Sequence, residues 1–518
     1  MHSHQDTIVI LDFGSQYTQL IARRIRELHV FSVILPAQSS VQDILTHQPK
    51  GLILSGGPAS VTHAKAPKLN SKIFKMGIPV LGICYGMQLI AHHCGGTVHS
   101  TPKREFGRAD LHIDNADDLF KGIKGKKSFP VWMSHGDAVQ RLPSGFQTIA
   151  HTAHAPIAAM KIVDGAQKLF GIQFHPEVVH TEHGSTILKN FVCQICQCKT
   201  TWTMGSFIDQ AVAEIRQTVG QGKVICALSG GVDSTVAAVL VHRAIGNQLT
   251  CLFIDNGFMR KDEVTQLAKT FDSSYHLPVR IADHASTFLS ALGRTTNPER
   301  KRKTIGRQFI KVFEYEAAAM GAVNFLVQGT LYPDVIESLS VNGPSATIKS
   351  HHNVGGLPKR MKFKLIEPFR ELFKDEVRQL GLELGLPEHI VWRQPFPGPG
   401  LAIRILGAVT AERLAILRDA DAIVREEIEQ ADLSRAIWQF FAVLLPIQTV
   451  GVMGDQRTYE FVVAIRAVTS TDGMTADWAD IPHAVLAKMS NRIINEVHGV
   501  NRVVYDISSK PPATIEWE

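Results

Sequence analysis

The stretch KVICALSGGVDSTVAAVLVHRAI, residues 223–245, decides how the middle of this 518-residue chain folds. The apolar run 224–228 predicts a buried strand, and the apolar pattern that follows the glycine pair predicts a helix. Glycines and hydroxyl side chains between a strand and a helix favour an anion at the helix N-terminus. The lysine that a Walker A loop places near its end is missing. The stretch therefore predicts a phosphate site that is not of the Walker A type.

The composition limits the class of protein. The net charge of +6 suits small anionic substrates and is too weak to indicate nucleic acid by itself. Seven cysteines in a chain of this size favour reduced thiols in a cytoplasm over disulfides. No apolar run is long enough to span a bilayer, and the N-terminus lacks the features of a signal peptide. We expect a cytoplasmic protein without membrane or nucleic-acid partners.

Three blocks follow one another along the chain. In 7–200 and again in 201–393, strand-like runs that end at glycine, Asp or Asn alternate with helical stretches. This alternation predicts two doubly wound, mainly parallel sheets, with chemistry at the C-terminal strand ends. Prolines and glycines in 394–401 mark a boundary. Beyond it, 394–518 mixes strands with a helix, so the predicted fold class is α/β with a smaller α+β domain at the end.

A candidate nucleophile lies in the first block. The sequence LGICYGMQL places Cys84 between a strand and a helix, with Gly82 and Gly86 two residues away on either side. The pattern parallels the nucleophile elbow G-x-S-x-G, and the helix N-terminus favours a thiolate. The strand-like run GIQFHPEV supplies His175 as a base and Glu177 as a carboxylate that orients it. A lone cysteine is more often a buried structural thiol; the combination of motifs favours catalysis.

Together these motifs resemble the class I glutamine amidotransferases, which release ammonia from glutamine. The resemblance implies Cys84 as nucleophile, His175 as general base and then acid, and Glu177 as the orienting residue. It also implies a set of residues that bind the oxyanion and the substrate glutamine: Gly57, Tyr85, Gln88, Ser134, Gly136 and Asp137. Gly57 and Tyr85 are expected to donate through their backbone N–H groups.

The loop of the second block resembles the pyrophosphate loop of the N-type ATP pyrophosphatases. That resemblance implies cleavage of ATP between the α and β phosphates and transfer of AMP to an oxygen. An aspartate beside phosphates is repulsive unless a divalent cation lies between them, so Asp233 implies Mg²⁺. The residues expected to bind ATP or pyrophosphate are Ser229, Gly230, Gly231, Val232, Asp233, Ser234, Thr235, Asp255 and Gly329.

Two basic stretches offer replacements for the missing lysine. The stretch 297–309 holds five cations, which suit phosphates, a nucleic-acid patch or a solvated helix face. The stretch 348–364 suits a lid over phosphates through Lys349 and His351, and a plain surface loop fits it equally well. The cysteine-rich stretch 193–198 invites a zinc interpretation, but its apolar spacing favours a buried helix face and no zinc is expected.

The last block resembles the C-terminal dimerisation domain of the glutamine-hydrolysing GMP synthetases, in the segments 394–404, 449–455, 467–479 and 508–518. With the two upstream blocks, the resemblance covers nearly the whole chain. It implies a homodimer, XMP as the acceptor, and Arg302, Lys510 and Glu516 as residues that contact XMP. A frayed C-terminus is the alternative for the tail, although its apolar residues favour docking.

Two other functions fit parts of the sequence. An enzyme with both sites would aminate another adenylated acceptor, as NAD synthetase does, but this conflicts with the last block. A regulatory nucleotide-binding protein with a decayed glutaminase would not need Cys84, His175 and Glu177, which are all present. The sequence therefore favours a two-site amidotransferase with ATP as co-substrate and Mg²⁺ as cofactor.

Overall fold

The structure is a computed structural model that describes residues 6–64, 66–123, 128–163, 167–275, 277–339, 363–453, 455–470 and 475–518. It divides into two compact units, Met1–Phe207 and Ile208–Glu518. Within the described residues, no helix is both long enough and apolar enough to cross a membrane.

The first unit is built on one sheet with the strand order β2-β1-β3-β4-β9-β8-β7-β5-β6. Its strands are β1 Thr7–Asp12, β2 Phe31–Pro36, β3 Pro49–Leu54, β4 Val80–Ile83, β5 Thr97–Ile113, β6 Ser128–Arg141, β7 Phe146–His151, β8 Ala159–Ile162 and β9 Leu169–Ile172. The first five strands in this order, β2, β1, β3, β4 and β9, pair in parallel, as predicted. The remaining strands β8, β7, β5 and β6 continue the sheet from β9 with antiparallel pairs, which the sequence did not predict.

Helices connect and cover the parallel strands of this sheet. They are α1 Thr18–Glu27, α2 Val41–Leu45, α3 Tyr85–His93 and α4 Gly184–Lys189, which continues as a π-helical segment Asn190–Ile195. Helix α1 is amphipathic, and it buries Ile21, Ala22 and Ile25 because these residues recur on one face. Helix α3 begins directly after β4, so the connection between them is one residue long.

The second unit begins with a five-stranded parallel sheet in the order β12-β11-β10-β13-β14. Its strands are β10 Val224–Leu228, β11 Leu249–Asp255, β12 Val279–Asp283, β13 Phe325–Val327 and β14 Lys364–Ile366. Its helices are α5 Met204–Val219, which spans the division at residue 207, α6 Val232–Ile245, α7 Glu263–Tyr275, α8 Ala285–Leu292, α9 Pro298–Ala319, α10 Tyr332–Leu339, α11 Lys374–Glu383 and α12 Glu388–Val391. The strand order reverses at β10, and ligands bind such sheets where the order reverses.

A smaller sheet completes the second unit. It contains β15 Gln439–Met453, β16 Gln456–Thr469, β17 Asp477–Trp478 and β18 Val500–Asp506, with helices α13 Ala411–Gln430 and α14 His483–Glu496. The strands β15, β16 and β17 pair antiparallel, and β18 pairs parallel to β16. The predicted fold class, two α/β sheets followed by a smaller α+β part, is confirmed.

One hydrophobic core joins the two sheets of the second unit. It contains Ile225 and Leu252 of the parallel sheet together with Leu417 and Ile465 of the smaller part. At the expected boundary, Gly400 has φ +62°, and a Cβ there would lie 2.4 Å from the carbonyl oxygen of Phe258. The boundary residues are thus packed into the unit, and the division at residues 393 and 394 stays a prediction.

Candidate active sites

Cys84 lies on a sharp turn between β4 and α3. It is the N-cap of α3 and has φ 51°, a conformation that costs free energy in a residue with a side chain. The two flanking positions must be glycine because neither has room for a side chain. A Cβ at Gly82 would lie 2.4 Å from the carbonyl carbon of Gly86, and a Cβ at Gly86 would lie 2.3 Å from the Leu54 carbonyl oxygen. The spacing of the elbow motif therefore follows from how tightly β3, β4 and α3 pack.

The structure brings His175 and Glu177 to Cys84. The His175 Nδ1 lies 2.6 Å from Glu177 Oε1, and both side chains are buried. Burial alone would lower the pKa of His175. The Glu177 charge and the hydrogen bonds that His175 makes with Cys84 and Glu177 outweigh burial and raise the pKa to about 10. The imidazolium therefore persists at neutral pH, where it stabilises a thiolate and can donate a proton to a leaving group.

Local contacts hold this histidine in place. The His175 N–H donates to the Trp132 carbonyl of β6, and the Thr181 hydroxyl donates to the His175 carbonyl at 2.6 Å. The Arg24 guanidinium on α1 donates to the Glu177 carbonyl at 3.0 Å. Strand β6 and helix α1, which are distant in sequence, thus fix the backbone on both sides of the histidine–glutamate pair.

The predicted glutamine-binding residues surround the nucleophile. The Cys84 Sγ lies 3.6 Å from the Ser134 carbonyl oxygen, and the Gln88 amide donates to the Asp137 carbonyl at 2.8 Å. Gly136 lies between Ser134 and Asp137 on β6. Gln173, which none of the sequence motifs identified, also lies at the nucleophile, with its Nε2 3.6 Å from Cys84 Sγ. Its position two residues before His175, directly after β9, is the signal that would have identified it.

Gly57 and Tyr85 lie next to each other near the elbow. A Cβ at Gly57 would lie 2.7 Å from the Phe13 carbonyl oxygen and 3.4 Å from Cγ of Tyr85, so only glycine fits. Tyr85 is the first residue of α3, and the first N–H groups of a helix have no acceptor within it. The Tyr85 hydroxyl donates to the Pro67 carbonyl at 2.9 Å, and burial raises its pKa to about 12. The phenol therefore anchors the helix start and stays neutral.

The predicted phosphate loop follows β10, where the strand order reverses. Gly231 is the N-cap of α6, and Val232 is the first residue of that helix. Gly230 has φ +72°, which favours glycine. The Ser229 and Ser234 hydroxyls lie 3.0 Å apart, and the Thr235 hydroxyl donates to the Gly231 carbonyl at 2.9 Å. These contacts among the loop's own residues hold it in shape.

Two cations from distant parts of the chain reach the loop. Lys374, the first residue of α11, lies with Nζ 2.5 Å from Asp233 Oδ2. The Arg393 guanidinium donates to the Gly230 carbonyl at 2.8 Å and pairs with Glu263. Burial and the neighbouring arginine charges lower the pKa of Arg393 to about 10, so it stays charged. Lys374 thus places a cation beside the lysine-free loop, and sequence spacing gave no signal of it.

Asp233 has one carboxylate oxygen to offer a cation. Its Oδ1 is buried and has no hydrogen-bond partner among the described residues. A single carboxylate together with substrate phosphates is how Mg²⁺ is often held in nucleotide sites. Gly329 lies against this residue, because a Cβ there would be 3.3 Å from the Asp233 Cβ. Asp255 ends β11, and its Oδ1 accepts from the Gly257 N–H at 2.8 Å.

Contacts of the C-terminal tail involve all three residues predicted to bind XMP, Arg302, Lys510 and Glu516. The Glu516 carboxylate accepts from the Arg404 guanidinium at 2.8 and 3.1 Å and from the Gln439 amide at 2.8 Å. Arg302 donates to the Glu518 backbone oxygen. The backbone of Lys510 exchanges hydrogen bonds with Ala476.

The tail itself is docked. Ile515 and Trp517 pack against a small apolar cluster of Phe441, Val443 and Ala464. Lys301, the neighbour of Arg302 on α9, is fully buried and pairs with the Glu518 carboxylate. The basic stretch on α9 therefore contacts the C-terminus through these two residues, and this use was not anticipated.

Two predictions remain, the lid residues and the cysteine-rich stretch 193–198. Lys349 and His351 lie outside the described residues. In the cysteine-rich stretch, Cys196 and Cys198 are buried, and burial raises the pKa of both thiols, that of Cys198 to about 12. Across the parts of the chain that the structure describes, no group of three or more His, Cys, Asp or Glu residues is arranged to hold a metal ion.

Three families match successive parts of the chain. Residues 9–195 match the glutamine amidotransferase class-I family, residues 203–331 match the NAD synthase family, and residues 426–517 match the GMP synthase C terminal domain. The order of the matches is the order expected from the sequence motifs.

Curated relatives match over the full length. A glutamine-hydrolyzing GMP synthase of Brachyspira hyodysenteriae is 58% identical over 519 residues, which covers 100% of both chains. Proteins of the same name from Brucella melitensis and Clostridium botulinum are 59% and 56% identical, over 100% and 99% of this chain and 99% and 100% of theirs. The similarity includes the C-terminal block, whereas the NAD synthase match ends at residue 331.

Proposed function

The chain belongs to the family of glutamine-hydrolysing GMP synthases, and we propose from that premise that its two units each contain one of the two active sites. The protein carries out glutamine-dependent GMP synthesis and is a ligase that forms a C–N bond. The balanced reaction is XMP + ATP + glutamine + water → GMP + AMP + pyrophosphate + glutamate. ATP is a co-substrate.

The first unit releases ammonia from glutamine. The Cys84 thiolate attacks the side-chain amide carbon, and the N–H groups of Gly57 and Tyr85 stabilise the oxyanion. His175 then protonates the leaving nitrogen, which departs as ammonia. The same ring afterwards takes a proton from the water that hydrolyses the thioester. The observation that supports this assignment best is the Cys84–His175–Glu177 arrangement at a turn that only glycines can flank.

The second unit activates XMP. The residues from Ser229 to Thr235 bind the phosphates that leave as pyrophosphate, with Lys374 as the neighbouring cation. Asp233 would hold Mg²⁺, which offsets negative charge on the phosphates when it is bound. The C2 oxygen of XMP attacks the α-phosphate, the bond to pyrophosphate breaks, and ammonia then displaces AMP. Asp255 and Gly329 complete the nucleotide site, and Lys349 and His351 stay proposed lid residues.

The tail and α9 form the XMP site in this proposal. Arg302 and Lys510 bring positive charge toward the phosphate of the nucleotide. Glu516 accepts hydrogen bonds from the purine. Both Glu516 oxygens already accept from Arg404 or Gln439, which holds the carboxylate in one orientation.

We propose a cytoplasmic homodimer with domains at 7–200, 201–393 and 394–518. The hairpin of β15 and β16 supports the dimer because it exposes apolar side chains. Val450 and Tyr459 are directly opposed on the two strands and are 51% and 61% exposed. Ile447 and Val452 of the same strand are exposed as well. A second copy of the chain would remove these side chains from water.

The substitution Cys84→Ala tests whether the two sites are separable. We expect it to abolish GMP synthesis from glutamine and to leave synthesis from ammonium within about twofold of the unmodified protein, because no group of the second site changes. The assay is AMP release with XMP and either nitrogen source. Loss of both activities would contradict separable sites, and turnover with deamido-NAD in place of XMP would favour the other acceptor.

A further inference from the structure

A buried acid–histidine pair lies beside the glutaminase site and has no part in the reaction described above. Glu105 on β5 and His135 on β6 are directly opposed in the antiparallel ladder. Their Oε2 and Nε2 atoms are 3.1 Å apart, and the two side chains are only 6% and 2% exposed. The Thr152 hydroxyl donates to the other carboxylate oxygen at 2.9 Å. Removing a carboxylate from water is costly, so this arrangement requires an explanation.

His135 lies between two hydrogen-bond acceptors. Its Nε2 faces the Glu105 carboxylate, and its Nδ1 lies 3.1 Å from the Asp137 carbonyl oxygen. Carbonyl and carboxylate oxygens only accept hydrogen bonds, so both contacts are hydrogen bonds only when both ring nitrogens carry protons.

The surroundings of Glu105 agree with an ionised acid. Burial acts to raise the pKa of Glu105. The hydrogen bonds from His135 and Thr152, with the nearby His135 and His154 charges, outweigh burial and lower the pKa.

The pair is connected to the nucleophile by hydrogen bonds. The Asp137 carbonyl, which His135 contacts, also accepts from the Gln88 amide at 2.8 Å. The same Gln88 nitrogen lies 3.4 Å from Gln173 Oε1, and Gln173 Nε2 lies 3.6 Å from Cys84 Sγ. A shift of the Asp137 carbonyl would therefore be passed to Gln88, a residue expected to bind the substrate glutamine.

We propose that Glu105 and His135 are positioning residues that fix the Ser134–Asp137 segment in the geometry that binds glutamine. The inference rests on the proposed role of the Cys84 site. A buried ion pair adds little net stability compared with apolar residues of the same size, which favours a role in orientation. The pair acts through the Asp137 carbonyl, so it changes how well glutamine is held and leaves the Cys84 thiolate and the second unit unchanged.

The test compares Glu105→Ala and Glu105→Gln in the full chain, with Asp110→Ala as a matched control that removes an exposed carboxylate from the same strand. Glu105→Ala is expected to raise the KM for glutamine about tenfold. It should raise the half-saturating concentration of 6-diazo-5-oxo-L-norleucine, a glutamine analogue that alkylates the nucleophile, by the same factor. Synthesis from ammonium and the rate of Cys84 alkylation by iodoacetamide should stay within about twofold.

Glu105→Gln is expected to restore most of the affinity. Its amide oxygen can accept from Thr152, and its amide N–H can donate to a neutral His135 that still donates to Asp137 through Nδ1. Asp110→Ala should leave every quantity unchanged. An unchanged KM in Glu105→Ala, or a lower kcat at constant KM, would overturn the inference.

Thr152→Val and Cys84→Ala separate failure of the positioning role from failure to fold and from a wrong site assignment. If Glu105→Ala fails to fold, Thr152→Val is expected to raise the KM about threefold, and no change would overturn the inference; it removes the hydroxyl that donates to Glu105 and accepts from the His154 and Ala155 N–H groups. If Cys84→Ala still uses glutamine, the site assignment itself is wrong. If Cys84→Ala is inactive with glutamine but the Glu105 variants keep their KM, only the positioning role is refuted.

Discussion

Because His175 is protonated at neutral pH, we expect its ring to act first as an acid and then as a base. The ordinary pKa of 6.5 is raised in the folded protein to about 10, chiefly because the Glu177 charge outweighs the effect of burial. A raised pKa means that the folded state binds the proton more tightly than the unfolded state. The resulting stabilisation is fully present below pH 6.5 and is lost as the pH rises through about 10.

Glu177→Gln removes the largest influence that raises this pKa. We expect the pKa of His175 to fall below its value in the unmodified protein, because the negative charge that opposes the effect of burial is removed. The chemical shift of the His175 ring, followed by NMR from pH 5 to about 10.5, measures the change. An unchanged titration would show that Glu177 does not hold the proton on the ring.

Lys374 is a second residue whose charge matters, because it lies beside the lysine-free loop. It reaches Asp233 from the start of α11 and leaves the carboxylate with one free oxygen among the described residues. The fold brings this lysine to the loop from 141 positions away, and we propose that it takes the place of the lysine that the motif omits.

Lys374→Met keeps the length of the side chain and removes its charge. We expect synthesis with either nitrogen source to fall at least about tenfold, because phosphate binding loses a charge-assisted contact. The control is Lys303→Met, since Lys303 is exposed and pairs with Glu299 on the same helix. Equal activity of the two variants in an AMP-release assay would contradict the role of Lys374.

At the scale of elements, the packing of α3 on the parallel sheet builds the nucleophile turn. Gly82 packs against the backbone of Gly86, and Gly86 packs against Leu54 of β3. Neither contact leaves room for a methyl group. The motif is therefore a packing requirement first, and the position of Cys84 is its consequence.

Gly86→Ala tests this requirement. The added Cβ would lie 2.3 Å from the Leu54 carbonyl oxygen, so the backbone has to shift. We expect the free energy of unfolding of the first unit to fall by about 2 kcal/mol or more. Gly205→Ala, in an open position on α5, is the matched control and should not destabilise the protein. Denaturant unfolding measures both variants.

At the scale of the whole molecule, the two sheets of the second unit share one core, which includes Ile225 and Ile465. In the proposed XMP site of this unit, the fully buried Arg404 orients Glu516 of the tail. The smaller sheet also exposes the apolar hairpin that we assign to a second copy of the chain.

Val450→Asp tests the dimer. A carboxylate on the exposed hairpin face would have to be buried against the second copy, so we expect monomers at micromolar concentrations in sedimentation equilibrium. Leu45→Asp, which changes an exposed leucine of α2 in the first unit, serves as the control and should leave the oligomeric state unchanged. A dimer that persists in Val450→Asp would place the interface elsewhere.

The sequence by itself determined the parallel sheets, the elbow and the phosphate loop. Each of these depends on residues that are close in the chain, such as Gly82, Cys84 and Gly86, or the run from Ser229 to Thr235. Apolar periodicity and glycine spacing act over a few residues, so a linear pattern contains them. The family resemblance of the last block identified the acceptor in the same way.

Only the tertiary structure decided which distant side chains meet. Lys374 and Arg393 at the loop, Gln173 at the nucleophile and the Glu105–His135 pair all depend on strand order and register. The antiparallel extension of the first sheet was missed for the same reason. These contacts join residues between 30 and 163 positions apart, and the packing of whole elements fixes them.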